Sequence, residues 1–324
     1  MASIAALRMI LCGAVAIAAV AQALPADPAP EQAGHEIATL TDGNDRMTVG
    51  VQIDGKGPFA FVVDTGAERT VISTELAGQL RLAPAPAARL LTLSEISTVP
   101  TVTIPSLTVS KSVVEQITAP ALAREHIGAA GILGIDTLQD QRIIFDFKRG
   151  RMKMQSSSER DDSRTGDDIV VRARSRFGRL VLADADAAGQ KIHVIIDTGA
   201  QLSIGNPILL KRLLAHRRKR DANEIELRSV TGGVRLASFA MLRKVRIGGV
   251  HLENMAVAIT DSEVFDRLQL NDKPALLLGM DVLRSFDRVS VDFANRKVRF
   301  LLPGEASMRP VIRNAANGVS PTAG

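Results

Sequence analysis

The stretch "FAFVVDTGAERTVIS", residues 59 to 73, carries an apolar run straight into Asp64-Thr65-Gly66-Ala67 and then returns to apolar residues. A carboxylate at the end of a strand-like run costs free energy unless hydrogen bonds or a shared proton compensate it. The glycine two places on permits a tight turn that aims backbone N–H groups at the carboxylate, and the threonine offers a hydroxyl to brace the loop. "KIHVIIDTGAQLSIG", residues 191 to 205, repeats the pattern with Asp197-Thr198-Gly199-Ala200. One such turn is unremarkable, but two demand a common explanation.

The surroundings repeat as well. "MTVGVQIDGKGPFAFVVDTGA" (47 to 67) and "GRLVLADADAAGQKIHVIIDTGA" (178 to 200) each read as a strand, a Gly-containing turn, a second strand and then Asp-Thr-Gly-Ala. "GILGIDTL" (131 to 138) answers "LLLGMDVL" (276 to 283), and each precedes a strand pair, "RIIFDFKRGRMKM" (142 to 154) and "RVSVDFANRKVRF" (288 to 300). The whole unit is therefore duplicated, over residues 46 to 154 and again over 177 to 302. The expected fold is mostly β with a few short helices and two-lobed, the lobes related by a pseudo-two-fold axis. Polar "QSSSERDDSRTGDD" opens a linker at 155 to 176, and residues 24 to 45 and 303 to 324 read as flexible segments. Helices are expected at "TELAGQL" and at "NPILLKRLLAHRRKR" (206 to 220), whose Asn206-Pro207 opening suits an N-cap and first turn.

Composition narrows the partners. The 324 residues are 46% hydrophobic, enough for a sizeable core, and the +5 net charge is a small difference between 40 basic and 35 acidic residues. Aromatic residues make up only 3%, all of them phenylalanine, so stacking platforms for bases are scarce and nucleic acid is not an expected partner. Residues 1 to 23 combine one arginine, an apolar run and Ala21-Gln22-Ala23, a secretory signal cleaved after Ala23. The expected location is outside the cytoplasm, in the periplasm, with no membrane span left after cleavage. The single cysteine, Cys12, lies in that signal, so the mature chain folds without disulfides.

Should the repeats pair about their axis, Asp64 and Asp197 meet, and two carboxylates a few ångströms apart share one proton. Such a pair contains a base and an acid together. It can take a proton from a water, direct that water at a peptide carbonyl and return a proton to the departing nitrogen. Neither a metal nor a cofactor is needed. His35, His126, His193, His216 and His251 lack ligand spacing, and no Gly-X-Ser-X-Gly, His-Glu-X-X-His or phosphate-loop pattern occurs.

At these residues the sequence resembles the retropepsin-like aspartic proteases, specifically the single-chain bacterial members with two fused repeats. Shared-proton titration is established chemistry for aspartic proteases in general. The resemblance implies that Asp64 and Asp197 are catalytic, supported by Gly66, Ala67, Gly199 and Ala200, and that Thr65 and Thr198 cross-brace their loops. It also implies that each lobe is a β-barrel and that Ile132-Leu133-Gly134 and Leu277-Leu278-Gly279 pack behind the aspartates. The chain departs from the retroviral pattern by placing Ile135-Asp136 and Met280-Asp281 after those glycines, where a bracing role is expected of the acids. A substrate-covering flap is expected from "SVTGGVRLASF" (229 to 239), with Gly232 and Gly233 at its tip. The matching part of the first repeat, "LTLSEISTVPTVTIPSL" (91 to 107), has no glycine, so only the second repeat is expected to supply a flap. The expectation is a monomeric endopeptidase acting on extended polypeptide. Two alternatives stay open: a silent peptide-binding module on the same fold, and a site built by two chains.

Overall fold

The computed structural model describes residues 36–38, 40–41, 46–161, 166–214 and 224–304. The secretory signal, most of the segments 24–45 and 303–324, and the basic end of the 206–220 stretch lie outside the described residues. The fold is mostly β and two-lobed.

In the first lobe, the strand Met47–Ile53 alternates Val49, Val51 and Ile53 into the core, the period-two pattern of a strand with one buried face. It pairs with Lys56–Val63, and the ladder continues through Gly131–Leu133, Val71–Ser73, Ser112–Leu122 and Ile96–Val109. Pairing of Gln52 with Thr108 and Ile53 with Leu107 closes these strands into a barrel. In the second lobe the corresponding order is His193–Ile196, Ala275–Leu278, Ile204–Gly205, Val250–Ile259 and Val234–Ile247. Here the closing strand is broken in two. Arg179–Leu182 pairs with His193–Ile196, whereas Ala185–Ala187 pairs with Val234–Ile247.

The two lobes share a sheet. Each repeat ends in a hairpin, and its first strand pairs with its counterpart: Gln141–Asp146 runs antiparallel to Arg288–Asp292, with Ile143 opposite Val291 and Phe145 opposite Val289. Beneath this seam Arg142 and Asp292, both almost fully buried, pair at 2.8 Å. Burial pushes Asp292 up, but hydrogen bonds from Asn295 and Arg142 outweigh it and hold the carboxyl below its ordinary value.

Several expected loops are strands. Ile169–Arg176, in the expected linker 155–176, pairs with both Lys297–Leu301 and Arg179–Leu182, and Arg151–Ser156 ends inside that same stretch. Glu36–Ala38 and Leu40–Thr41, in the segment expected to be flexible, pair with Arg151–Ser156 and Met47–Ile53. Glu36–Ala38 and Ile169–Arg176 extend the shared sheet and Leu40–Thr41 extends the first-lobe sheet, each satisfying backbone groups of a strand that would otherwise stand at an open edge. The helix expected after the first Asp-Thr-Gly forms at Thr74–Gln79, capped by the Ser73 hydroxyl on Leu76 N–H at 3.1 Å. The second begins at Pro207 and is capped by Asn206 Oδ1 on Leu209 N–H at 2.9 Å.

The flap expectation needs a correction. The first repeat also builds a hairpin, from Ala83–Leu91 and Ile96–Val109, with Leu91 opposite Ile96. Its turn needs no glycine because the Thr92 hydroxyl donates to Glu95 O at 3.0 Å while Thr92 N–H donates to the same carbonyl at 2.9 Å. Threonine thus supplies by hydrogen bonding what glycine would supply by backbone freedom. The second hairpin, Glu224–Arg228 with Val234–Ile247, carries Gly232 and Gly233 in its turn.

Candidate active site

Asp64 and Asp197 end equivalent strands. Asp64 N–H donates to Leu133 O at 3.1 Å and Asp197 N–H to Leu278 O at 3.0 Å. The chain then turns so that two backbone N–H groups face each carboxyl: Gly66 and Ala67 donate to Asp64 Oδ1 at 2.7 and 3.0 Å, and Gly199 and Ala200 donate to Asp197 Oδ1 at 3.1 Å each. One oxygen of each carboxyl is fixed in this way by its own loop.

The loops are then tied to each other. Thr65 N–H donates to Thr198 Oγ1 at 3.1 Å, and Thr198 N–H donates to Thr65 Oγ1 at 3.2 Å. The two hydroxyls pass on through the opposite strand: Thr65 to Ile196 O at 2.9 Å and Thr198 to Val63 O at 2.7 Å. Both threonines are buried. The expected cross-brace is therefore present as four reciprocal bonds, and it brings the carboxyls together. A β-carbon on Gly66 would sit 2.6 Å from Asp197 Cγ, and one on Gly199 would collide with the Asp64 carboxyl. Glycine is required at both places because the opposing carboxyl fills the space.

Gly134 and Gly279 lie behind these loops, as expected. Gly279 leaves no room for a side chain against the Leu202 carbonyl at 2.6 Å, and Gly134 meets the backbone of Arg69 and Thr70. Ile135 N–H donates to Ala67 O and Met280 N–H to Ala200 O, both at 2.9 Å. Asp136 and Asp281 brace: Asp136 accepts from Thr70 N–H at 2.9 Å and the Thr70 hydroxyl at 2.7 Å, while Asp281 accepts from Ser203 N–H at 3.0 Å and the Ser203 hydroxyl at 2.7 Å. The same two hydroxyls accept from Gly134 and Gly279 N–H at 3.1 Å. Each brace thus links the second motif to its aspartate loop.

Each aspartate keeps a partly exposed face, but the carboxyl is ringed by protein. Loss of water is the largest influence on both, and it raises them. Asp197 is pushed up to about 7, with the neighbouring Asp64 adding to the effect, while Arg179 and the N–H groups of Ala200 and Gly199 oppose it. Asp64 is also raised, against the pull of Gly66 N–H, Arg179, Arg46 and Ala67 N–H.

The two arginines were not evident from motif reading. Arg46 and Arg179 stand at the same step ahead of their aspartates, and both are nearly buried. Arg179 Nε, from the second lobe, donates to Gly66 O in the first at 2.5 Å, and its NH1 lies 3.6 Å from Glu68 Oε1. Arg46 donates to Ile127 O. Glu68 also accepts from Arg267 at 3.2 and 3.4 Å, and that guanidinium stacks 3.9 Å from the centre of the Phe177 ring. The place of Glu68 is taken in the second repeat by Gln201. The signal that could have found the arginines is their recurrence at one position in both repeats.

The hairpin glycines lie across the lobe boundary. Gly232, at φ +86°, rests on the His126 imidazole, and Gly233 backs onto Ser94 and Glu95 of the first hairpin turn. Among the described residues, no cluster of three or more His, Cys, Asp or Glu is arranged to hold a metal ion, and no helix is long and apolar enough to cross a membrane.

Paired, cross-braced aspartate loops on two like β lobes define an aspartic-protease type of architecture. Family comparison agrees: residues 49–140 match the gag-polyprotein aspartyl protease family model and residues 183–282 match the aspartyl protease family model, together more than half of the chain. The chain belongs to the retropepsin-like aspartyl proteases, with two tandem domains. No curated protein matches it. Aspartic protease activity, with polypeptide as the substrate class, follows at the level of the family.

Proposed function

We propose that the protein is an aspartic endopeptidase in which Asp64 and Asp197 share one proton, working as a monomer on extended segments of exported proteins. The observation that carries this reading is the reciprocal Thr65–Thr198 brace, which holds two carboxyls against each other with one oxygen of each already satisfied by loop N–H groups. The second oxygen of each remains for proton exchange. Because burial and mutual repulsion favour a single negative charge on the pair, one aspartate is ionised and the other protonated near neutrality.

In the first step the ionised carboxylate takes a proton from water as the water oxygen bonds to the peptide carbonyl carbon. The protonated aspartate gives its proton to the carbonyl oxygen, leaving a neutral tetrahedral diol. In the second step one hydroxyl of the diol returns a proton to a carboxylate, the nitrogen takes a proton from the other carboxyl, and the C–N bond breaks. The pair ends with one proton, as it began. The target class rests on the secretory signal read over residues 1 to 23.

The test compares residues 24–324 with Asp64→Asn and Asp197→Asn, each checked for folding by circular dichroism, on unstructured casein. Loss of cleavage by roughly a thousandfold or more in both folded variants is expected. Persistent cleavage in either variant overturns the shared-proton reading. Tight peptide binding by a wild type that turns nothing over replaces it with a silent binding module.

A further inference from the structure

The longest strand of the second lobe is left uncovered along part of one edge. Val234–Ile247 pairs on one side with Val250–Ile259, over 238–247. On its other side Glu224–Arg228 covers 234–238 and Ala185–Ala187 covers 245–247. Among the described residues, no strand pairs with 239–243 on that side. At the border of the gap, Ala188 N–H donates to Lys244 O at 3.0 Å. Backbone groups in an antiparallel ladder alternate sides, so Leu242 turns its N–H and C=O the same way as Lys244, into the gap.

A cavity of about 220 Å³ opens at this gap, walled by the strand, by the turn that follows Ala185–Ala187 and by the helix Pro207–Leu214. No residue of either aspartate loop lines it. Buried Ala187 and Leu242, with Leu213 packed against the core, give it an apolar floor. Met241, 54% exposed, extends that floor to the surface. Exposed Arg212, Arg243 and Lys244 stand around it, and no carboxylate does. Among the described residues none of these three cations forms an ion pair. The nearby acids Asp184 and Asp186 are engaged by Arg246 instead.

We infer that this cavity is a second binding site, which takes the free C-terminus of an extended polypeptide ending in an apolar residue. The three cations hold the terminal carboxylate, since hydrogen bonds between ionised partners are the strong ones. The floor of Leu213, Met241 and Leu242 takes the last side chain. Leu242 offers one backbone donor and one acceptor to the incoming chain, a short strand addition of the kind that anchors peptide ends elsewhere. A phosphate ester answers the same cations, but it sets anionic oxygens beside the Leu242 carbonyl and leaves that acceptor without a donor. The site lies apart from the aspartate loops and does not depend on the endopeptidase reading. It tethers a protein by its end while the rest of the chain stays free.

The test uses the chain 24–324 carrying Asp64→Asn, so that no probe is cleaved, and a fluorescein-labelled peptide Ser-Gly-Ser-Gly-Val-Leu with a free C-terminal carboxylate. Fluorescence anisotropy is read for this acid, for its C-terminal amide and for a version ending in serine. The acid is expected to bind about tenfold or more tighter than the amide, the scale of hydrogen bonds to a charged group. A similar factor is expected over the serine-ended peptide, from burial of the leucine. Arg243→Gln combined with Lys244→Gln, both at exposed positions, is expected to weaken the acid about tenfold and to leave the amide unchanged. Lys56→Gln combined with Lys111→Gln removes the same charge from exposed positions of the first lobe and is expected to move neither. Absent binding, equal affinity for acid and amide, or equal affinity for the two end residues overturns the inference. An equal loss in the first-lobe pair also overturns it, because the attraction is then one of net charge. Tighter capture of phenyl phosphate than of the acid peptide, read by competition, replaces the C-terminus by a phosphate ester. A wild type that cleaves no casein defeats the endopeptidase reading and leaves these affinities as they stand.

Discussion

The Asp197 carboxyl lies against the α-carbon of Gly66 in the other lobe, so closely that an added methyl would be 2.6 Å from its carbon and one oxygen. Real β-carbons do not approach other atoms so closely, so Gly66→Ala must push the carboxyl or part the loops. The expected result is a folded protein with cleavage reduced at least about a hundredfold, since small displacements of reacting groups cost on that order. Circular dichroism and casein turnover, measured together, check it.

Thr198 holds more than its own loop. Replacing it by valine keeps the shape but strands Thr65 N–H and Val63 O, both of which it now satisfies inside the protein. Unpaired buried groups cost about 1–3 kcal/mol each. Thr198→Val should therefore lower Tm by roughly 5–10 °C, while Thr198→Ser, which keeps the hydroxyl, should recover most of the loss. Thermal unfolding of the two variants decides this.

Stability should fall as pH rises. Asp197 titrates near 7 in the folded chain against about 3.9 when unfolded, so between those values the folded state holds a proton that the unfolded state has released. By linkage the stabilisation is fully present below about 4 and is lost as pH climbs through about 7. Asp197→Asn cannot lose a proton there. Its Tm is expected to match the wild type at pH 4 and to exceed it at pH 8.

Arg179 lowers both aspartates and also grips Gly66 O. Its removal in Arg179→Met should move both limbs of the pH–rate profile to higher pH, since each proton is then held more tightly. A variant that lost rate uniformly at every pH would show that Arg179 serves only to position the loop.

The bracing acids should matter to stability first. Asp281→Ala removes the acceptor for Ser203 N–H and its hydroxyl and frees the loop behind Gly279. A loss of roughly 2–4 kcal/mol is expected for the network, with kcat falling alongside because Asp197 is held from the same side. Asp136→Ala should behave alike in the first lobe.

Much of this site was legible in the sequence because its parts are local. The aspartate, the glycine two places later and the alanine that follows supply all the donors to one carboxyl oxygen, so two short words encode the loops. Duplication then told which distant words belong together. Legibility failed where partners are remote or chemistry is unspecific. Ala83–Leu91, with Pro84 and Pro86, has no strand signature and forms one only at a sheet edge, where proline is tolerated. Ile169–Arg176 alternates apolar and charged residues, a strand signal that its polar neighbours masked. The grip of Arg179 on Gly66 joins residues 113 positions apart, and nothing near an arginine announces such a partner.

Glu68 and Gln201, at matching positions of the two repeats, make the two sides of the aspartate pair unlike. A cleft assembled from two copies of one repeat must present the same groups to both ends of whatever lies in it, and so reads a peptide identically from either end. Fusion removes that obligation. Here an acid tied to Arg179 and Arg267 stands on one side of the aspartate pair, and a neutral amide occupies the matching place on the other. Should a peptide lie across the aspartate pair, it would meet unlike groups on the two sides, so its two directions of binding would not be equivalent.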